Sequence, residues 1–157
     1  MTSPAVVIGI GNRFRRDDGS ALKVLETLTD RVPESARLVE SDGEPARIID
    51  SWDGTDLAVI VETVRRGDAP GTIATIDWDT QDPPAGPPHN DHGSHSLGIL
   101  EAIALGRALE RMPRHLRLVG IEPLDLGWGE GLSDPVAGSI HAAARLVLDS
   151  LRSLVKG

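Results

Sequence analysis

The stretch VVIGIGNRFRRDDG, Val6 to Gly19, decides the fold. It opens as a buried apolar strand, turns on Gly9, Gly11 and Asn12, and delivers two adjacent carboxylates, Asp17 and Asp18, where a helix should begin. Glycine and asparagine permit the tight backbone such a strand-to-helix turn needs. A phosphate-binding loop starts the same way, yet Phe14 stands where the third glycine of G-x-G-x-x-G belongs, and G-x-x-x-x-G-K-[ST] is absent. Two acids facing the ligand also oppose a phosphate. They have a local use, since acids at a helix start complement its dipole.

Outward from that turn, apolar runs and helical periods alternate. AVVIGIG (Ala5 to Gly11) reads as a central strand, and GSALKVLETLTDRV follows with Ala21, Leu22, Val24, Leu25 and Leu28 at helical spacing. ARLVES is a short second strand, EPARIIDSWDG a short helix ending near Gly54, and DLAVIVETV (Asp56 to Val64) the clearest buried strand. GTIATIDW (Gly71 to Trp78) comes after a Gly/Pro turn, which suggests that these two strands pair as neighbours. DTQDPPAGPPHNDHGSH, with four prolines and no apolar period, is a long functional loop rather than a linker, because the folding pattern resumes at once. SLGILEAIALGRALERM is an amphipathic helix with Ser94 or Ser96 as its cap. HLRLVGIEP is a further strand, and SDPVAGSIHAAARLVLDSLRSLV a closing helix capped by Ser133, with Pro135 in its first turn.

About five strands alternating with about four helices predict an α/β fold: three layers, an open, mostly parallel twisted sheet flanked by helices, as one domain over residues 1–157. Ligands of such sheets sit beyond the C-terminal strand ends. Asp17, Asp18, Glu62 and the GIEP segment fall there, and the loop carrying His89, His92 and His95 is free to join them.

Composition narrows the function classes. Three Trp, one Phe and no Tyr leave a core of Val, Ile, Leu and Ala, which suits a covered parallel sheet. A net charge of −8 disfavours nucleic acid and anionic membrane. Without cysteine, disulfides and thiol catalysis drop out. MTSPAVVIGIG lacks a charged n-region before a long apolar run, and no run approaches the roughly 20 residues of a membrane span. A soluble, cytoplasmic chain is expected.

Singly, the polar candidates are weak. Glu62 could be an exposed strand end paired with Arg65 or Arg66, His95 a helix cap, and His89 and His92 solvated loop residues. Together, two carboxylates and an imidazole at one sheet edge make a mixed O/N set suited to borderline divalent ions such as Ni, Zn or Mn. The alternative is HNDHGSH, whose three His at intervals of three suit zinc without the acids, although its glycine and flanking prolines argue against a helical His face.

The chain resembles the hydrogenase maturation proteases, which trim the C-terminal extension of the [NiFe]-hydrogenase large-subunit precursor. GIGNRFRRDDG, DGEP, AVIVETVRRGDAPGTI, HSLGILEAIALGRAL and VGIEPLDLGWGEGLSDPVAGSI carry the likeness in order along nearly the whole chain. It implies a monomeric cytoplasmic endopeptidase whose protein substrate is that precursor, and a metal-recognition and catalytic set of Asp18, Glu62 and His95. These would complete the coordination of a nickel ion already in the substrate, a position open to Zn or Cd in its stead. It further implies that the glycine turn and the DG segment (Gly11, Asn12, Asp42 and Gly43) face the substrate, the glycine leaving room for a bulky peptide.

Two departures stand out. The acid ending the third strand is usually Asp, here Glu62, and the first acid is often Glu, here Asp18. A methylene moves a carboxylate by about 1.5 Å, and the two changes are expected to compensate. The family's DGGT segment reads DGEP, with Glu44 and Pro45 in place of Gly and Thr, which implies an unusual substrate tail if that loop touches it. No Ser-His-Asp triad or H-E-x-x-H is present. The chemistry left is metal-assisted hydrolysis, or one of the two acids as general base. The rivals are a metal- or precursor-binding chaperone of the same fold and a small nucleotide-binding protein.

Overall fold

The structure, a computed structural model, describes residues 4–78 and 94–156, and at 94–97 and 154–156 the backbone only. Two strands are buried along their whole length, β1 (Ala5–Ile10) and β3 (Leu57–Thr63). They are the two most continuously apolar runs in the chain, as strands covered on both faces must be. The sheet order is β2-β1-β3-β5-β4, with β2 at Ala36–Ser41, β4 at Ile73–Trp78 and β5 at His115–Ile121. All pairings are parallel except β4 with β5.

The helices are α1 (Ser20–Leu28), α2 (Pro45–Trp52), α3 (Ser94–Ala108), α4 (Asp134–Ala137) and α5 (Ile140–Lys156). On one face Val7, Val59, Val61 and Val119 pack with Leu25 of α1 and Val147 of α5. On the other, Ile8, Ile60 and Leu118 pack with Trp52 of α2 and Ile103 of α3. Each fully buried Ile, Leu or Val contributes about 1.5–3 kcal/mol relative to exposure, so this two-sided core holds the strand ends in place. Side chains alternate along a strand. Glu62 therefore shares the α2/α3 face with Ala58 and Ile60, and Thr63 the α1/α5 face with Val59 and Val61.

The expected α/β architecture is present, with three differences. The third and fourth strands are not neighbours, because β5 lies between them. Almost wholly buried β5 needs partners on both sides, whereas half-exposed β4 suits an edge. The C-terminal helix is broken at Gly138–Ser139 into α4 and α5, and Ser133 precedes α4 without capping it through its side chain. Helix α3 stops at Ala108, where Glu110 enters the left-handed region at φ 57. Among the described residues, no helix is long and apolar enough to cross a membrane.

Candidate active site

The turn after β1 is closed by its own backbone. Asn12 N–H donates to the Asp18 carbonyl at 3.2 Å and to Asp18 Oδ2 at 3.0 Å, while the Asn12 side chain accepts from Phe14 N–H at 2.9 Å. A Cβ on Gly11 would stand 2.1 Å from the Asp18 carbonyl oxygen. A side chain at Gly11 would therefore collide with the Asp18 carbonyl, so the packing of the turn itself requires glycine here. Asp18 ends up 4% exposed.

Its neighbour does different work. The Asp17 carboxylate is fully buried and accepts from Leu124 N–H (2.8 Å), Asp125 N–H (2.9 Å), Ser133 N–H (2.7 Å) and the Ser133 hydroxyl (2.8 Å). Burial would raise its pKa, but these bonds to the charged form prevail and hold it below the ordinary aspartate value. Asp17 is thus a staple joining the first turn to the segment after β5. The same two stretches meet again where Arg16 N–H donates to the Gly129 carbonyl (2.9 Å) and Gly129 N–H to that of Phe14 (2.8 Å). Arg16 sits at φ 48, unusual for a residue with a Cβ, and the bond to Gly129 offsets part of that cost. The motifs at 9–19 and 120–133 therefore act as one unit.

Glu62 is 2% exposed, one residue before the end of β3. The next residue ties that end to the turn: Thr63 Oγ1 donates to the Asp17 carbonyl at 3.1 Å and lies 3.2 Å from Ser20 Oγ. Asp18 and Glu62 are thus each next in sequence to one partner of a direct β3-to-turn contact. Two nearly buried carboxylates there are hard oxygen donors, and a nitrogen ligand beside them would complete a set suited to a borderline divalent ion. Helix α3 starts on Glu62's face, and His95 lies in its first turn, although its side chain is outside the described residues, as are His89 and His92 entirely. A Cβ on Gly98, three residues after His95, would be 2.4 Å from the Gly43 carbonyl, so the start of α3 abuts the DG segment. Among the described residues, no three His, Asp or Glu side chains stand close enough to hold a metal ion.

Three of the four residues expected to face the substrate, Gly11, Asn12 and Asp42, line a cleft of about 660 Å³. Gly43, at φ 94, lies next to it in sequence. The DGEP departure has a local cause. Glu44 caps α2, accepting from Ala46 N–H (3.2 Å) and Arg47 N–H (3.0 Å), and Pro45 opens the helix. Asp42 accepts from Glu44 N–H and pairs with Arg47, so this loop is organised from within. A cavity of about 860 Å³ opens at the opposite end of the sheet, around Asp56 and Arg117, where Arg117 is already tied to Asp77 and Ser150.

The resemblance singled out Asp18 for the metal-facing set, but the sequence gave Asp17 no role beyond a helix start and Glu122 none. Buried Glu122 accepts from Arg66 N–H (2.8 Å) and Asp68 N–H (3.2 Å), clipping the loop after β3 onto the end of β5. The signal for both was the pairing of the two motifs, since GIEP and the serine of G-x-x-L-S carry partners of the first turn or its neighbours.

The family model of hydrogenase maturation proteases (HycI) matches residues 22–150. The chain is 28% identical over 155 residues to hydrogenase expression/formation protein HoxM of Azotobacter vinelandii, covering 96% of this chain and 74% of that one. It is 26% identical over 150 residues to the hydrogenase 2 maturation protease of Escherichia coli, covering 94% and 90%. Its fold matches the hydrogenase maturating endopeptidase HybD from E. coli with a TM-score of 0.83 at 23% identity, over 95% of this chain and 92% of that one. On these grounds, the chain belongs to the hydrogenase maturation protease family.

Proposed function

We propose that this protein is the endopeptidase that removes the C-terminal extension of a [NiFe]-hydrogenase large-subunit precursor once nickel has been inserted, acting as a monomer in the cytoplasm. The observation that carries the reading is the near-complete burial of two carboxylates, Asp18 and Glu62, each next in sequence to one partner of the Thr63–Asp17 contact, with the helix bearing His95 on Glu62's face. Burying carboxylates is costly, and a substrate-borne divalent ion would draw on both.

In this reading Asp18, Glu62 and His95 complete the coordination of the precursor's nickel and so distinguish a loaded substrate from an empty one. The ion supplies polarisation of the scissile carbonyl or a bound water of lowered pKa. The chain's own part is to fix both carboxylates: Asn12 N–H orients Asp18, and the fully covered β3 holds Glu62 at its end. Cleavage is read directly as a mobility change of the precursor. The parent should cut nickel-loaded precursor and spare nickel-free precursor, while Asp18→Asn, Glu62→Gln and His95→Ala each lose most of that activity. Equal cutting of both precursors, or full activity in Asp18→Asn, contradicts the proposal.

A further inference from the structure

Five large hydrophobic side chains are exposed among the described residues, and three of them, Phe14 (56%), Leu124 (56%) and Trp128 (82%), stand on the paired segments beside the candidate site. The backbone bonds between Phe14, Arg16 and Gly129 bring them together across more than 100 residues of sequence. Arg15 adds to the pairing by donating from Nε and Nη2 to the Leu126 carbonyl at 3.2 and 3.0 Å, with its guanidinium 5.6 Å from the Trp128 ring centre. Trp and Arg are among the residue types most enriched in the energetic centres of protein interfaces. The Asp17 staple holds Leu124, Asp125 and Ser133, so the rim is pre-organised and little entropy is lost on docking.

The protein carries a net −8, yet Arg13, Arg15 and Arg16 fall within four residues of the first turn, with Asp125 and Glu130 on the segment paired to it. Among the described residues, the carboxylate contacts of Arg13 and Arg16 are long, 3.5 Å to Glu40 and 3.7 Å to Asp125, at partly exposed positions where such pairs are weak. Arg15 bonds a carbonyl and no carboxylate among the described residues. Arg15, beside Trp128, is therefore the guanidinium placed to meet an acidic side chain of a partner.

We infer that the rim of Phe14, Arg15, Leu124 and Trp128 is a docking surface for the precursor polypeptide, taking an acidic side chain at Arg15 and an apolar one laid on Trp128. The inference rests on the proposed substrate and adds a contact outside the metal-facing residues. The test uses steady-state cleavage of the full-length nickel-loaded precursor, together with calorimetric binding of the same precursor. Trp128→Ala should raise KM by about 30-fold, with most of the loss in KM rather than kcat. Arg15→Glu should raise it by about 10-fold, less so at high salt, and Arg15→Lys by less. Wild-type cleavage with KM unmoved by either Trp128→Ala or Arg15→Glu overturns the docking surface and leaves the proposed function standing. Binding that depends on Trp128 without cleavage by the parent supports the surface and overturns the function. Sedimentation showing a wild-type dimer that Trp128→Ala converts to monomer, with KM unchanged, makes the rim an interface between copies and overturns the inference.

Discussion

Replacing Asp17 with Asn removes the charge of the buried staple while leaving its shape. The amide oxygen can accept two of the four bonds now made by the carboxylate, and the NH₂ then faces N–H donors instead of accepting from them. At least two bonds to a charged acceptor are lost, each worth about 1.5 kcal/mol at the low end, so Asp17→Asn should cost about 3 kcal/mol at neutral pH. With a urea slope of about 2 kcal/mol per molar, the midpoint should fall by about 1.5 M without a change in slope. The pH dependence comes from the lowered pKa of Asp17. A carboxylate that holds its proton less readily when folded contributes stability in full above its unfolded pKa of about 4, and loses it as pH falls through the folded value. The gap between parent and variant should therefore narrow as pH falls below that unfolded value of about 4. Urea titrations at pH 7 and pH 3, followed by circular dichroism, measure both effects. A midpoint within about 0.3 M of the parent at pH 7, or an equally wide gap at pH 3, refutes the staple.

Three further outcomes are expected. Glu62→Asp draws the carboxylate back by about 1.5 Å and should lower kcat/KM on nickel-loaded precursor by roughly 100-fold; a rise in activity would show that the Glu and Asp exchange between the two sites is not compensatory. Gly11→Ala places a methyl 2.1 Å from the Asp18 carbonyl, so the turn must open. That should cost about 1–3 kcal/mol in a urea melt and most of the cleavage activity, and a variant as stable and active as the parent contradicts this packing of the turn. Glu44→Ala removes the cap of α2 and should cost about 1 kcal/mol, which thermal melting would detect.

How far the sequence exposed this arrangement depends on what each residue's neighbours reveal. AVVIGI and LAVIVET announce buried parallel strands because each is apolar almost throughout. The place of β4 is not written in IATIDW, since strand order depends on how much partner surface β5 needs. Asp17 and Asp18 are identical in type and adjacent in sequence. Only the turn geometry sends one toward Leu124 and Ser133 and the other toward Asn12. Ser133 shows the same limit, with a sequence suited to capping and a hydroxyl committed to Asp17. The change from DGGT to DGEP gave no sign in sequence that Glu44 caps the helix which Pro45 opens, because the capping bonds appear only once the loop is folded.

The most direct measurement is anomalous diffraction from crystals of this protein soaked in cadmium, standing in for the substrate's nickel. The account predicts a peak within metal–ligand distance of Asp18, Glu62 and His95 together. A peak held by His89 and His92, with Asp18 and Glu62 left out, would contradict it.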